Sequence, residues 1–120
     1  MVTMKKNELL ENSYSFALRI VRLSRLLIEQ KEFVLSKQVL RSGTSIGANI
    51  TEAQQAESHK DFAHKLSIAN KEAFETEYWI KLLRDGGDIT SEQAKSLLAD
   101  CNSLQWMLIS SIKKIRSRIE

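Results

Sequence analysis

The chain has no proline and only four glycines among its 120 residues. Both residue types interrupt helices, proline because it lacks a backbone N–H and glycine because it loses the most conformational freedom on folding. Their scarcity favours long helices over a fold of short strands and turns. Hydrophobic residues make up 42% of the sequence and charged residues 28%, a balance that excludes an intrinsically disordered chain.

Cysteine and long apolar runs are also scarce. The single cysteine, Cys101, has no partner for an internal disulfide, which is typical of proteins in a reducing compartment. No segment approaches the roughly 20 apolar residues that a membrane-spanning helix needs. Two lysines near the start are not followed by an apolar segment, so no secretory signal is indicated. We therefore expect a cytoplasmic protein without a membrane partner.

The net charge is only +3, but charge is distributed unevenly along the chain. Residues 1–31 contain six basic and three acidic residues, and residues 113–120 contain four and one. The segment between them contains eight basic and eleven acidic residues. If the first and last helices are antiparallel neighbours, the two basic segments meet at one end of the molecule, where they suit an anionic partner. The alternative is an ordinary solvated surface.

Apolar residues recur at helical spacing in four stretches, which predict helices over residues 7–30, 36–56, 60–84 and 90–119. Thr90 and Gln93 form a capping box at the start of the last helix, and Gly86 with Gly87 ends the third. The links between the helices are short, and short links make sequential helices antiparallel. The predicted fold class is therefore all-α, with one antiparallel up-down-up-down four-helix bundle domain over residues 1–120.

The first helix carries more apolar surface than the core of a small bundle requires. Its core stripe consists of Leu9, Ser13, Phe16, Ile20, Leu23 and Leu27. An adjacent stripe, nearly as apolar, consists of Leu10, Tyr14, Ala17, Val21, Ser24 and Ile28. In the last helix, Trp106 and Met107 lie off the core stripe, and a bulky ring beside small residues is typical of a subunit contact. We interpret both features as assembly surfaces, the alternative being that Trp106 stacks on nucleic-acid bases.

The second helix contains a pair of glycines beside a polar stripe. Gly43 and Gly47 each cost a helix interior about 0.8–1 kcal/mol relative to alanine, a cost usually offset by close approach of another backbone or a ligand. The polar stripe consists of Ser42, Ser45, Asn49 and Glu52. Two interpretations stay open. The segment lines a ligand or nucleic-acid groove, or it packs tightly and its polar groups bridge helices or line a protein interface.

No constellation of residues indicates catalysis. A di-iron bundle needs Glu-x-x-His on each of two helices, whereas Asp61-x-x-His64 is a single approximation, and we expect His59 and His64 to lie on the surface. No Gly-rich phosphate-binding motif is present. A carboxylate-dependent nucleotide hydrolase is the enzymatic alternative, and its candidate carboxylates are Glu72, Glu75, Glu77, Asp85 and Asp88. We predict no catalytic residues, cofactor, metal or small-molecule substrate.

Two segments carry a resemblance to a known family. The first contains Leu40-Arg41-Ser42, then Ser45-Ile46-Gly47-Ala48-Asn49-Ile50 and Glu52-Ala53; the second contains Phe62, Lys65-Leu66, Ile68-Ala69, Glu72-Ala73 and Glu75-Thr76-Glu77-Tyr78-Trp79. This pattern resembles the four-helix bundle family encoded in ribosomal-RNA intervening sequences, over essentially the whole chain. That family often has proline where this chain has Gly47 and glycine where it has Ala53. The resemblance implies an up-down bundle that assembles as a ring-shaped homopentamer and has no catalytic residues.

The sequence is more distantly similar to the accessory proteins of diversity-generating retroelements, pentameric bundles that bind a reverse transcriptase and nucleic acid. We therefore expect a non-enzymatic homo-oligomer, with five copies the expected count, that binds RNA, DNA or a nucleic-acid-processing protein. The alternative is a purely structural or protein-interaction module. The candidate nucleic-acid-binding residues are Arg19, Arg22 and Arg25 on the first helix and Lys113, Lys114, Arg116 and Arg118 on the last.

Overall fold

The computed structural model describes the backbone of residues 4–119 and the side chains of residues 8–119. Over that range the chain forms four helices and no strand: α1 (Met4–Glu29), α2 (Phe33–Ala53), α3 (His59–Asp85) and α4 (Ser91–Ile119). The predicted all-α, four-helix fold is confirmed. The helix bounds differ from the predicted ones by three residues at most. None of the helices described is long and apolar enough to cross a bilayer.

Side-chain caps account for where the helices begin and end. Glu32 accepts a hydrogen bond from the backbone N–H of Leu35 at 3.1 Å, and this cap starts α2 one turn earlier than the apolar pattern indicates. At the start of α4, Thr90 and Gln93 exchange backbone-to-side-chain bonds of 2.8 and 3.0 Å, the predicted capping box. Past the end of α3, Gly87 has a φ of +86°, a left-handed conformation that glycine adopts without steric cost.

The core forms along the predicted stripes. All six core-stripe positions of α1 are buried, from Leu9 to Leu27. The adjacent stripe of α1 behaves differently, because Tyr14 and Ile28 are exposed while Ser24 is buried and shares a 2.7 Å hydrogen bond with Ser36 of α2. The remaining core positions are supplied by α2, α3 and α4, with Ile46, Ile50, Leu66, Ile80, Leu104 and Leu108 among the fully buried side chains.

The helices pack against one another unequally. α2 packs closely on α1, because a Cβ added to Gly43 would lie only 2.7 Å from Cγ2 of Ile20. α2 with α3 and α3 with α4 also pack extensively, whereas α1 and α4 touch much less. The looser seam leaves an open cleft of about 490 Å³, whose lining includes Arg22, Leu26 and Glu92. α1 and α4 are therefore held together mainly by a few side-chain contacts.

Candidate functional site

The polar stripe of α2 is occupied by contacts within the bundle. Ser42 is buried and accepts a hydrogen bond of 2.9 Å from the hydroxyl of Thr76 on α3. Ser45 donates to the carbonyl of Arg41 at 2.6 Å, and Asn49 donates to the carbonyl of Ser45 at 2.8 Å, so both bond to their own helix. These bonds favour the packing interpretation of the stripe over a ligand groove.

The other end of that stripe is also paired. Glu52 forms a 3.1 Å ion pair with Lys65 of α3. Gly47 faces Ser13, whose Oγ would lie 3.3 Å from an added Cβ, so this glycine sits at the α1–α2 contact rather than beside open space. Ser42, Gly47 and Glu52 therefore serve the contacts of α2 with α1 and α3, as does Gly43, whereas Ser45 and Asn49 bond within α2.

The carboxylates proposed for a hydrolase are held by cations instead. Arg41 of α2 forms ion pairs with Glu72 at 3.3 Å and Glu75 at 2.5 Å. That guanidinium, followed by the indole N–H of Trp79, lowers the pKa of the Glu75 carboxyl. Lys81 lies one turn after Glu77 on α3 and forms a 2.8 Å ion pair with it. The carboxylates therefore work as partners for arginine and lysine.

Metal-binding geometry is not present in the part of the chain that the structure describes. No group of three or more His, Cys, Asp or Glu side chains there could hold an ion. His59 and His64 are both exposed, at the start of α3. Asp85 pairs with its neighbour Arg84 at 2.8 Å and does not join the carboxylates further back on α3. Nothing in these contacts assembles the carboxylate site that a metal-dependent hydrolase requires.

Cys101 is a core residue. Its thiol is buried and donates a hydrogen bond of 3.2 Å to the carbonyl of Ala73. Burial, with smaller contributions from the charges of Glu77 and Asp100, raises the pKa of this thiol to about 12. Since the thiolate is the reactive species, Cys101 is inert at neutral pH.

Two of the candidate arginines of α1, Arg19 and Arg22, lie beside the first half of α4. Arg19 forms a 2.7 Å ion pair with Asp100 and a 2.9 Å hydrogen bond with Ser96. Arg22 and Arg25 are exposed on the same helix. Asp100 precedes Lys113 by 13 residues, about 20 Å of helix. Within the basic segment 1–31, Arg19 therefore lies well away from Lys113, and the first basic residues of that segment, Lys5 and Lys6, lie outside the described side chains.

The basic end of α4 lies against α3. The side chain of Arg116 donates a hydrogen bond of 3.2 Å to the hydroxyl of Ser67, while Lys113, Lys114 and Arg118 are exposed. Among the described residues, none of these four cations is in an ion pair, since the six pairs observed join other side chains. Within the described side chains, positive charge at this end is thus not neutralised by an ion pair.

Two apolar surfaces face outward. Exposed residues on α1 and α2 form the first, here called the α1–α2 face, which consists of Tyr14, Leu18, Ile28 and Phe33. Exposed residues on α3 and α4 form the second, the α3–α4 face, which consists of Phe74, Tyr78, Trp106 and Ile109. Trp106 is the most exposed of these at 71%. Met107, predicted to join it, is instead half-buried, and its sulfur accepts a hydrogen bond of 3.5 Å from Asn12 of α1.

A family comparison agrees with this architecture. Residues 5–110 match the model of the 23S rRNA-intervening sequence protein family. The chain belongs to that family. A protein of unknown function from the S23 ribosomal protein family of Bacteroides thetaiotaomicron VPI-5482 has a similar crystal structure, with a TM-score of 0.90 and 57% sequence identity. The similarity covers 92% of this chain and 99% of that one. No curated protein matches the sequence at a significant level.

For this member of the 23S rRNA-intervening sequence protein family, the resemblance seen in the sequence is confirmed. The Bacteroides protein is of unknown function, so this similarity supplies no activity. Ser42, Glu72 and Glu75 belong to the two segments that carry the family resemblance. They form contacts between α2 and α3. These residues therefore stabilise the packing of α2 on α3.

Sequence reasoning missed part of the charged surface of this family member. Lys60 and Lys71 of α3 are exposed and without an ion pair in the described range. They share one helical face with His64 and Ser67, since the four positions are spaced 4-3-4. That spacing is readable from the sequence. The proximity of this face to the end of α4 cannot be read from the sequence, because it depends on how α3 and α4 align.

Proposed function

We propose that the protein is a non-enzymatic homo-oligomeric adaptor that binds nucleic acid, or an enzyme acting on nucleic acid, through a basic end. The observation that carries the proposal is the charge of Lys113, Lys114 and Arg118, which are exposed and form no ion pair among the described residues. The membership of a ribosomal-RNA intervening-sequence family gives it a context. A cytoplasmic location forms part of the proposal, supported by the free thiol of Cys101.

In the proposed bundle, the four helices run alternately up and down. In such an arrangement, residue numbers rise along one helix while those of its contact partners fall along the next. The contacts that support it pair Ser24 with Ser36, Ser13 with Gly47, Glu52 with Lys65, Ser42 with Thr76, Asn12 with Met107 and Arg19 with Asp100.

Assembly is supported by the two apolar faces. Scattered apolar residues on a surface are ordinary, but grouped and bulky ones mark interaction sites. The α1–α2 face and the α3–α4 face lie on different helix pairs, so a contact between them joins two dissimilar surfaces of two copies. Contacts of this head-to-tail kind close into rings when the rotation allows. Five copies is the number that the family resemblance implies, with Trp106 as an anchor of the contact.

Nucleic-acid binding is supported by the charge at the end of α4. Lysine and arginine side chains that neutralise phosphates release counterions, and this supplies sequence-independent affinity. One copy presents a modest number of free cations, but a ring repeats them and lets several bind one polymer at once. The net charge of +3 per chain is therefore compatible with binding by the assembly.

A protein-interaction module is the second candidate, favoured by the exposure of Tyr14, Leu18 and Phe33. In that case a different protein covers the α1–α2 face and nucleic acid is not bound. A titration of labelled RNA and DNA at about 50 mM salt, where phosphate contacts are strong, separates the two. Salt-dependent binding by the assembled protein supports the adaptor. Absence of binding to either polymer, with a face that still recruits another protein, supports the module.

A further inference from the structure

A row of side chains on α3 continues the positive charge of α4. Lys60, His64, Ser67 and Lys71 recur at intervals of four, three and four residues, which places them on one face of the helix. Lys60, His64 and Lys71 are exposed, and Ser67 is half-buried. Lys71 lies 11 residues after Lys60, about 17 Å along the helix.

Ser67 joins this row to the end of α4. Its hydroxyl accepts the 3.2 Å hydrogen bond from Arg116, so the last turns of α4 lie against the middle of the row. Lys113 precedes Arg116 by three residues and is exposed. Lys60, Lys71, Lys113 and Arg116 therefore form one surface, here called the α3–α4 cation surface.

Several neighbouring cations of α2 and α3 are in ion pairs, whereas the cations of the α3–α4 cation surface form none among the described residues. Lys65 is paired with Glu52, Lys81 with Glu77, and Arg41 with two glutamates. In the described chain no carboxylate pairs with any member of the α3–α4 cation surface. Asp61 and Glu57 are the acidic residues near the start of α3, and the Asp61 carboxylate accepts a backbone N–H bond of 3.2 Å from Glu57. The remaining positive charge faces solvent and favours an anionic partner.

We propose that the α3–α4 cation surface binds the sugar-phosphate backbone of duplex nucleic acid, without reading its bases. The inference rests on the proposed nucleic-acid function and assigns it to this surface instead of to the arginines of α1. About 17 Å of helix corresponds to five base pairs at 3.4 Å each. Phe74 and Tyr78 continue the same stripe beyond Lys71, but they belong to the α3–α4 face that the proposed assembly covers, so the ring stacking that single-strand binders use is not available in the assembled protein.

Two charge-matched triple variants test the assignment. Lys60→Gln, Lys71→Gln and Lys113→Gln together remove three unpaired cations from the surface and leave the Arg116–Ser67 bond in place. The control, Arg22→Gln, Arg25→Gln and Lys37→Gln, removes three exposed cations from α1 and α2. Both carry the same net charge. Circular dichroism and light scattering on both establish that fold and assembly are retained, and the three single lysine variants provide the same test if the triple variant does not fold.

Binding is measured by fluorescence anisotropy with a labelled 20-base-pair DNA duplex over a series of salt concentrations. The surface variant should bind on the order of tenfold more weakly, or worse, at about 100 mM salt, and its salt slope should be smaller by up to about 0.9 for each phosphate that it no longer neutralises. The control should stay within about twofold to threefold of the native protein, since the charges it removes lie on α1 and α2, outside the α3–α4 cation surface, and salt screens charges that make no direct contact.

Each other outcome overturns the inference in a distinguishable way. If the native protein does not bind duplex at low salt, the nucleic-acid function fails and the inference with it. If it binds but the surface variant binds equally well, or both variants weaken equally, the function stands and the assignment to this surface is wrong. Tighter binding of a single strand of equal length contradicts backbone-only recognition. Sedimentation with anionic phospholipid vesicles, without affinity for duplex, shows that the surface serves a membrane instead.

Discussion

Arg19 of α1 lies 2.7 Å from Asp100 of α4, at the seam where the two helices touch least. The same guanidinium also donates to the hydroxyl of Ser96 at 2.9 Å. The side chains of Arg19 and Asp100 are 34% and 52% exposed, so water screens the pair strongly. This contact fixes the alignment of α1 and α4 while adding little to stability.

Asp100→Asn should therefore lower the free energy of unfolding by about 1 kcal/mol or less, the usual range for an exposed ion pair. Urea denaturation measures the change, with Arg22→Gln as a control on a cation that has no ion-pair partner in the described structure. A decrease above about 3 kcal/mol would mean that the pair behaves as a buried one. The α1–α4 seam would then be closed in the assembled protein.

Gly43→Ala should destabilise the bundle even though alanine favours helix. An added Cβ would lie 2.7 and 2.8 Å from the γ carbons of Ile20, whose side chain is fully buried and branched at Cβ. Overpacking of this kind costs about 1–3 kcal/mol, more than the gain of about 0.8–1 kcal/mol in helix propensity. Thermal and urea unfolding measure the balance, and a raised melting temperature would refute the close-packing account of Gly43.

Gly47 provides a matched control within the same helix. Its added Cβ would lie 3.3 Å from the hydroxyl of Ser13, a tighter contact than usual but with an atom that can rotate away. Gly47→Ala should therefore be close to neutral, while the larger Gly47→Leu should cost about 1–3 kcal/mol. Equal effects of alanine at Gly43 and Gly47 would contradict the difference in packing between the two sites.

Cys101 should resist thiol reagents in the folded protein. Its pKa of about 12 leaves almost no thiolate at neutral pH, and its side chain is buried. Labelling with a disulfide reagent at pH 8 should be slow and should accelerate in urea as the chain unfolds. Rapid labelling in native buffer, at a rate independent of urea, would contradict the burial of this thiol.

The raised pKa of Cys101 also sets a direction for alkaline stability. The unfolded thiol ionises near its ordinary value of 9.0, whereas the folded thiol keeps its proton up to about pH 12. The unfolded state therefore loses a proton first, and the stability contributed by this group falls as pH rises from about 9 to 12. Cys101→Ala should remove that part of the pH dependence, measured by urea denaturation between pH 8 and 11.

Much of the fold follows from periodicity in the sequence. The core stripe of α1 is buried as predicted, and Ala94, Leu97, Cys101, Leu104 and Leu108 of α4 are buried at the same helical spacing, because a 3.6-residue period leaves one face to pack. α2 begins three residues before its predicted start, at the cap provided by Glu32. The sequence does not indicate this start because glutamate is not one of the residue types usually found at an N-cap. Local pattern thus predicts each helix, and capping details decide its first turn.

The surfaces are harder to predict because they depend on helix alignment. The pairing of Arg41 with Glu72 and Glu75 joins residues more than 30 positions apart, which no local spacing reveals. The distance between Arg19 and Lys113 likewise depends on the alignment of α1 with α4, which the sequence does not reveal. Met107, predicted to lie on an outward surface, contacts Asn12 across the seam, because α1 is close enough there to cover it.

Complementary variants test whether the two dissimilar apolar faces join neighbouring copies. Tyr14→Glu disables the α1–α2 face, and Trp106→Glu disables the α3–α4 face, each at an exposed position that should tolerate a charge without unfolding. Circular dichroism of each variant, compared with the native protein, checks that the fold is retained.

Light scattering on a sizing column is the measurement that decides between assembly modes. The native chain of 13.7 kDa should form a closed assembly larger than a dimer. Each variant alone should be monomeric. An equimolar mixture should form a dimer, because one intact face of each kind remains to meet the other. A native monomer at micromolar concentration, or a mixture in which both folded variants stay monomeric, would contradict head-to-tail assembly through these faces.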